Sequence, residues 1–136
     1  MTLVDSNVLP DVVTDGQIWA DWSQSQLERA ALDGPLVINS VVYAEISTRY
    51  ATVDAVDSML RDLNIDVAMI SHPALFLAGK AYLQYRSIGG MRTGVLADFF
   101  IGAHAAVDVL PLLTRDARRY RHYFPTVTLI TPESER

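Results

Sequence analysis

Short apolar runs alternate with longer helical patterns along the whole chain. Leu3-Val4 is the first apolar segment; it ends at Asp5 and reads as a strand. From Ile18 to Leu32 the periodicity is helical, with Trp19, Trp22, Leu27, Ala30 and Ala31 on the apolar side, and Asp33-Gly34-Pro35 stops it. Leu36 to Ile38 reads as the second strand. Asn39-Ser40 then offers a cap for a helix over Val41 to Tyr50. A further helix spans Val53 to Leu63, and Ile65 to Ile70 reads as the third strand. Ser71-His72-Pro73 has the chemistry of a helix entry, and that helix runs to Arg86.

Gly89 to Gly94 reads as a loop. Thr93 is placed to cap the next helix, Val95 to Val107, which is so apolar that it belongs in the interior. Leu110 to Leu113 is the fourth strand, Ala117 to Tyr123 a short helix, Val127 to Ile130 the fifth strand, and Thr131 to Arg136 a polar tail. Strands alternating with helices predict an α/β fold with a mainly parallel sheet covered on both faces. The length of 136 residues fits one domain covering 1–136.

Four isolated acids punctuate this pattern. Asp5 ends strand one and Asp116 follows strand four. Glu45 lies one turn into the helix after strand two, and Asp98 interrupts the apolar helix. An open parallel sheet collects the carboxyl ends of its strands on one edge, where ligands bind, so these acids can share one pocket. Three also have a plainer role: Asp5 in an Asx turn, Glu45 as a solvated helix residue, although Ala44 and Ile46 beside it are apolar and Arg49 lies one turn on, and Asp116 as an N-cap. Asp98 is the exception, because a carboxylate among Leu96, Ala97, Phe99 and Phe100 needs a partner or a metal. Converging carboxylates raise one another's pKa, and hard Mg²⁺ or Mn²⁺ is the usual compensation. Asn7 and Thr114 stand beside Asp5 and Asp116 as supports. The histidines carry less: His72 reads as a turn residue and His104 as a satisfied core residue. Tyr120, Tyr123 and Phe124 read as packing.

Composition narrows the choice. The absence of cysteine excludes disulfides, thiolate metal sites and cysteine nucleophiles, and points to the cytoplasm. The first residues lack the charge and length of a signal peptide, and no run reaches the roughly 18 apolar residues of a membrane span. A net charge of −5 argues against binding nucleic acid by bulk charge. Yet the basic residues are local: Lys80 is the lone lysine among eleven basic residues, and Arg115, Arg118, Arg119 and Arg121 cluster. Arginine's planar fork suits phosphate, which makes Arg92, Arg115, Arg118 and Arg119 candidate phosphate contacts.

Val4-Asp5-Ser6-Asn7, Tyr43-Ala44-Glu45-Ile46, Leu96-Ala97-Asp98-Phe99-Phe100-Ile101-Gly102-Ala103-His104-Ala105 and Leu113-Thr114-Arg115-Asp116-Ala117-Arg118-Arg119-Tyr120 resemble, in order and spacing, the PIN-domain nucleases. Within them they resemble the VapC toxins of bacterial toxin–antitoxin pairs. The resemblance implies a three-layer α/β/α sandwich with a five-stranded parallel sheet. It implies Mg²⁺- or Mn²⁺-dependent endoribonuclease activity on structured RNA, transfer or ribosomal. It further implies a cognate VapB-type antitoxin and a homodimer. Asp5, Glu45, Asp98 and Asp116 match the family's acidic quartet, with Asn7 and Thr114 as supports. Asp5 and Asp98 are then expected to hold one or two ions, with Asp116 and Glu45 acting directly or through water. Receiver domains and haloacid-dehalogenase-like phosphatases fit worse: the first need a late lysine after a strand, the second Asp-x-Asp where this chain has Asp5-Ser6-Asn7. A non-catalytic RNA-binding or protein-interaction module, its acids merely structural, is the alternative.

Overall fold

The computed structural model describes residues 1–10, 19–90 and 95–132. Its elements run β1 (Thr2–Val4), α1 (Ala20–Asp33), β2 (Leu36–Asn39), α2 (Ser40–Ser47), α3 (Val53–Asp62), β3 (Ile65–Ala68), α4 (His72–Ser87), α5 (Leu96–Asp108), β4 (Leu112–Leu113), α6 (Arg118–Tyr123) and β5 (Leu129–Ile130). The five strands form one parallel sheet in the order β3-β2-β1-β4-β5. Helices lie on both faces, giving the expected three-layer α/β/α arrangement. Central strands buried on both faces read as near-continuous apolar runs. Every residue of β1 and β2 is buried, and so are Leu112 and Leu113 of β4.

The chain lays β1, β2 and β3 outward on one side, then returns to place β4 on the other side of β1. The order reverses between β1 and β4, the crevice where open parallel sheets take ligands. Asp5 leaves β1 there, and Thr114 leaves β4. Pairing of Val4 with Leu113 brings those two exits level.

Several boundaries differ from the sequence expectation for local reasons. β4 begins at Leu112 rather than Leu110. Val109 takes a left-handed conformation (φ 54°) that ends α5, and the Leu110 amide turns back to the Ala105 carbonyl at 2.9 Å. The helix after β2 stops at Ser47, not Tyr50. Ser47 Oγ donates to the Tyr43 carbonyl and Thr48 Oγ1 to the Glu45 carbonyl, so side chains take acceptors the helix end leaves open. The third and fifth strands are likewise shorter, Ile65–Ala68 and Leu129–Ile130. Asn39 and Ser71 cap as expected, accepting from Val42 N and Ala74 N. Thr93 and Arg92 lie outside the described residues. Among the described residues no helix is long and apolar enough to cross a membrane.

Candidate functional site

Asp5 sits at the switch point, 4% exposed. Its Oδ2 accepts hydrogen bonds from Thr114 Oγ1 at 2.8 Å and Tyr120 Oη at 2.7 Å. Its Oδ1 accepts from the Ser6 amide at 2.7 Å. The Ser6 hydroxyl donates to Glu45 Oε1 at 2.8 Å, so the sheet edge and α2 meet through one serine. Asn7 ties the loop after β1 to the loop after β4. Its Nδ2 donates to Thr114 Oγ1 at 3.2 Å, and its Oδ1 accepts from the Arg115 amide at 3.1 Å. Both supports named from sequence therefore touch the site, Thr114 directly on Asp5 and Asn7 through Thr114.

Asp98 lies in the first turn of α5, where the helix N-terminus favours negative charge. Its Oδ2 accepts a short, charge-assisted bond from Arg119 Nη1. Its Oδ1 is 3.5 Å from the Tyr120 hydroxyl, which also reaches Asp5. Successive residues of α6 thus address two acids: Arg119 pairs with Asp98, and Tyr120 stands between Asp98 and Asp5. Asp116 is exposed at the rim, accepting from the Arg118 amide at 3.3 Å. It precedes Ala117 at the start of α6 rather than serving as the helix's own N-cap.

The electrostatics bind the four acids together. Burial pushes the Asp5 carboxyl above its ordinary value; its hydrogen bonds pull it back, and the charge of Glu45 adds to the rise. Burial and then the charge of Asp98 raise Glu45, against the Ser6 bond. Burial raises Asp98 too, followed by the charge of Asp5; Arg119 lowers it and Asp116 raises it. Burial, with Asp5 and Asp98 beside it, holds the Tyr120 hydroxyl well above its ordinary range, so it remains a donor.

A carboxyl with a raised folded pKa stabilises the fold below its unfolded value and loses that contribution as pH rises through the folded value. The unfolded values are 3.8 for Asp5 and Asp98 and 4.5 for Glu45. Metal-free protein is therefore expected to melt at progressively lower temperature as pH rises from about 4.5 towards neutrality. Calorimetric scans across that range check the sign; a melting temperature that climbs instead speaks against self-repulsion in the cluster.

The four arginines named from sequence have different surroundings. Arg119 pairs with Asp98. Arg115 Nε donates to the Asn7 carbonyl at 3.0 Å, and its guanidinium lies 5.6 Å from the Trp19 ring centroid. Arg118 is exposed beside the acids, and Arg92 is outside the described residues. Ser6 and Tyr120 were the contributors that sequence reasoning missed.

His104 is fully buried. The Asn39 carbonyl is occupied by the Val42 amide, which leaves Asn39 Nδ2 to donate to His104 Nδ1 at 3.1 Å. The ring proton then sits on Nε2, 3.2 Å from Asp108 Oδ2 but not aligned for a hydrogen bond. It is a core residue, as its place in the apolar helix implied, but only half satisfied, because Nε2 has no hydrogen-bond partner among the described residues.

Among the described residues, no three carboxylate or imidazole groups are drawn tightly enough to clasp one ion. The oxygens of Asp5, Glu45 and Asp98 are instead shared among Ser6, Thr114, Tyr120 and Arg119. The donor set is nonetheless all oxygen, anionic and mutually repelling, which suits a hard divalent cation.

The fold has close counterparts. VapBC2 from Rickettsia felis, solved with a DNA fragment from its promoter, superposes with a TM-score of 0.72 at 18% identity, covering 96% of this chain and 97% of the other. VapBC-1 from nontypeable Haemophilus influenzae gives 0.70 at 14% identity, covering 96% of each chain. FitAcB from Neisseria gonorrhoeae gives 0.69 at 17% identity, covering 98% and 99%. No curated protein matches by sequence. The PIN domain family model matches residues 2–125, a span that holds all four acids, the switch point and the whole of α6; the chain belongs to the PIN domain family.

Proposed function

We propose that the chain is a metal-dependent endoribonuclease, the toxin of a VapBC-type toxin–antitoxin pair, hydrolysing phosphodiester bonds in structured RNA. The observation that carries this is the meeting of Asp5, Glu45, Asp98 and Asp116 in one electrostatically coupled group at the β1/β4 switch point. PIN domains are generally nucleases, and the structural counterparts named above are toxin–antitoxin complexes.

In this reading Asp5 and Asp98 hold Mg²⁺ or Mn²⁺, with Glu45 and Asp116 directly or through water. A bound divalent cation supplies Lewis acidity at a phosphoryl oxygen and a more acidic water. The protein's own part is orientation. Thr114 and Tyr120 fix the rotation of the Asp5 carboxylate, and Ser6 keeps Glu45 turned towards it. Arg118, exposed at the rim, meets a phosphate flanking the cut bond. An antitoxin arginine suits the same anionic pocket and would silence it, since its fork can bond two carboxylates. Apolar surface near Trp19, Trp22 and Tyr43 is where an amphipathic antitoxin segment would lie. The working form is expected to be a cytoplasmic homodimer.

The rival is a non-catalytic module with structural acids, and the Asp98–Arg119 pair is the observation in its favour. Induction of the chain alone, followed by sequencing of cellular RNA ends, separates the two. The nuclease reading expects growth arrest and new ends at defined sites, both suppressed when the neighbouring antitoxin is co-expressed. Intact RNA at high expression would leave the module reading standing.

A further inference from the structure

Arg119 has two environments within reach. One is Asp98, whose carboxylate it pairs with at side-chain exposures of 22% and 31%. The other is a cavity of about 380 Å³ that it lines together with Asp116, Arg118, His122 and Tyr123. The Tyr85 ring, 5.8 Å from its guanidinium carbon, lies along another side. Arg119 therefore stands between Asp98 and a cavity that carries a second arginine and, at its rim, Asp116.

That position has a consequence for any cation. Asp98 feels raising influences from Asp5 and Asp116, and Arg119 is the charge that opposes them. A divalent cation on Asp98 meets a guanidinium already on the same carboxylate, and two positive groups repel at such range. The cation carries twice the charge, so the arginine is the one to leave. Its release needs only side-chain rotation, because it already borders the cavity.

We propose that Arg119 is an internal counter-ion with two stations: it occupies Asp98 when the site is free of metal, and a divalent cation displaces it into the α6 cavity, where with Arg118 it grips an RNA phosphate. The proposal rests on the nuclease reading in taking Asp98 as a metal ligand and RNA as the source of the phosphate. It couples the two binding events. The metal-free cavity offers a phosphate one free arginine and the loaded cavity offers two, so metal and phosphate strengthen each other's binding.

Mn²⁺ titration by calorimetry of the wild type, Arg119→Gln and Arg118→Gln tests the first station. Removing the competitor should tighten Mn²⁺ binding about tenfold in Arg119→Gln, a typical size for site-to-site coupling. Arg118→Gln, which removes an exposed charge screened by salt, should change it far less. Unchanged or weaker binding in Arg119→Gln overturns the proposal while leaving the metal site intact. An equal gain in Arg118→Gln also overturns it, because the effect is then bulk charge. No Mn²⁺ binding by any of the three removes the metal reading itself.

The second station is tested in the wild type, so it stands even if Arg119→Gln fails to fold. Guanidinium resonances are followed by NMR as Mg²⁺ is added, with inorganic sulfate standing in for phosphate at constant ionic strength. Arg119 should shift on Mg²⁺ addition. Sulfate should perturb Arg118 alone without Mg²⁺, and both arginines with it. A sulfate response of Arg119 that is the same with and without Mg²⁺ contradicts the exchange.

Discussion

Asp98→Asn is expected to lower RNA cleavage by about a thousandfold at matched metal, the loss that follows when several kcal/mol of charge stabilisation is withdrawn from a metal site. Asparagine keeps the shape and one carbonyl oxygen, so Arg119 Nη1 retains an acceptor where Oδ2 now stands. It removes a negative charge that Asp5 and Asp116 oppose, which relieves repulsion, and it weakens the ion pair with Arg119, which costs stability. These two changes offset, and the metal-free melting temperature should move little. Mn²⁺ affinity, by contrast, should collapse with the activity. Cleavage within a few-fold of wild type would place the chemistry elsewhere. Equal loss of activity and thermal stability would make Asp98 a structural residue.

The contrast between Asp98 and Arg119 shows where the sequence is informative. An acid between Ala97 and Phe99 in an apolar helix contradicts its own surroundings, and that conflict alone marks it. Asp5 and Asp116 could be placed because strand ends in a parallel sheet share an edge by topology alone. Arg119 carries no such conflict: in Arg115-Asp116-Ala117-Arg118-Arg119 it looks like any exposed arginine. Only the packing of α6 against α5 decides that it faces Asp98 while Arg118 faces solvent. Tyr120 was hidden in the same way. Its ring packs as an aromatic should, and its hydroxyl's two carboxylate neighbours come from residues 115 and 22 positions away. The third, fourth and fifth strands are shorter than their apolar runs because those runs extend beyond the ladder, as at Leu110, whose amide serves the helix before the strand, whereas β1 and β2 each take in one further polar residue, Thr2 and Asn39.

Phe99→Ala should be the most damaging single truncation next to the site. Phe99 is fully buried, and its ring meets Tyr123 at 5.0 Å, Tyr85 at 5.6 Å, Tyr82 at 5.7 Å and Phe124 at 6.2 Å between centroids. Those partners belong to α4, to α6 and to the residue just after α6, so one ring joins three helices. Gly102, one turn on, lets the Phe124 ring lie against α5: a Cβ there would stand 2.3 Å from Phe124 Cδ2. Truncation removes the aromatic contacts and leaves a cavity, at a cost of about 3–5 kcal/mol. For a chain of this size that is a fall in melting temperature of roughly 10–20 °C. The damage should also reach the chemistry. Asp98 is the preceding residue, and Tyr85, which touches Phe99, is also the ring beside Arg119. Phe99→Leu, which refills much of the space, should recover most of the stability. A drop of only a few degrees in Phe99→Ala would mean that α6 is held against α5 by the Asp98–Arg119 and Asp5–Tyr120 bonds rather than by the aromatic cluster.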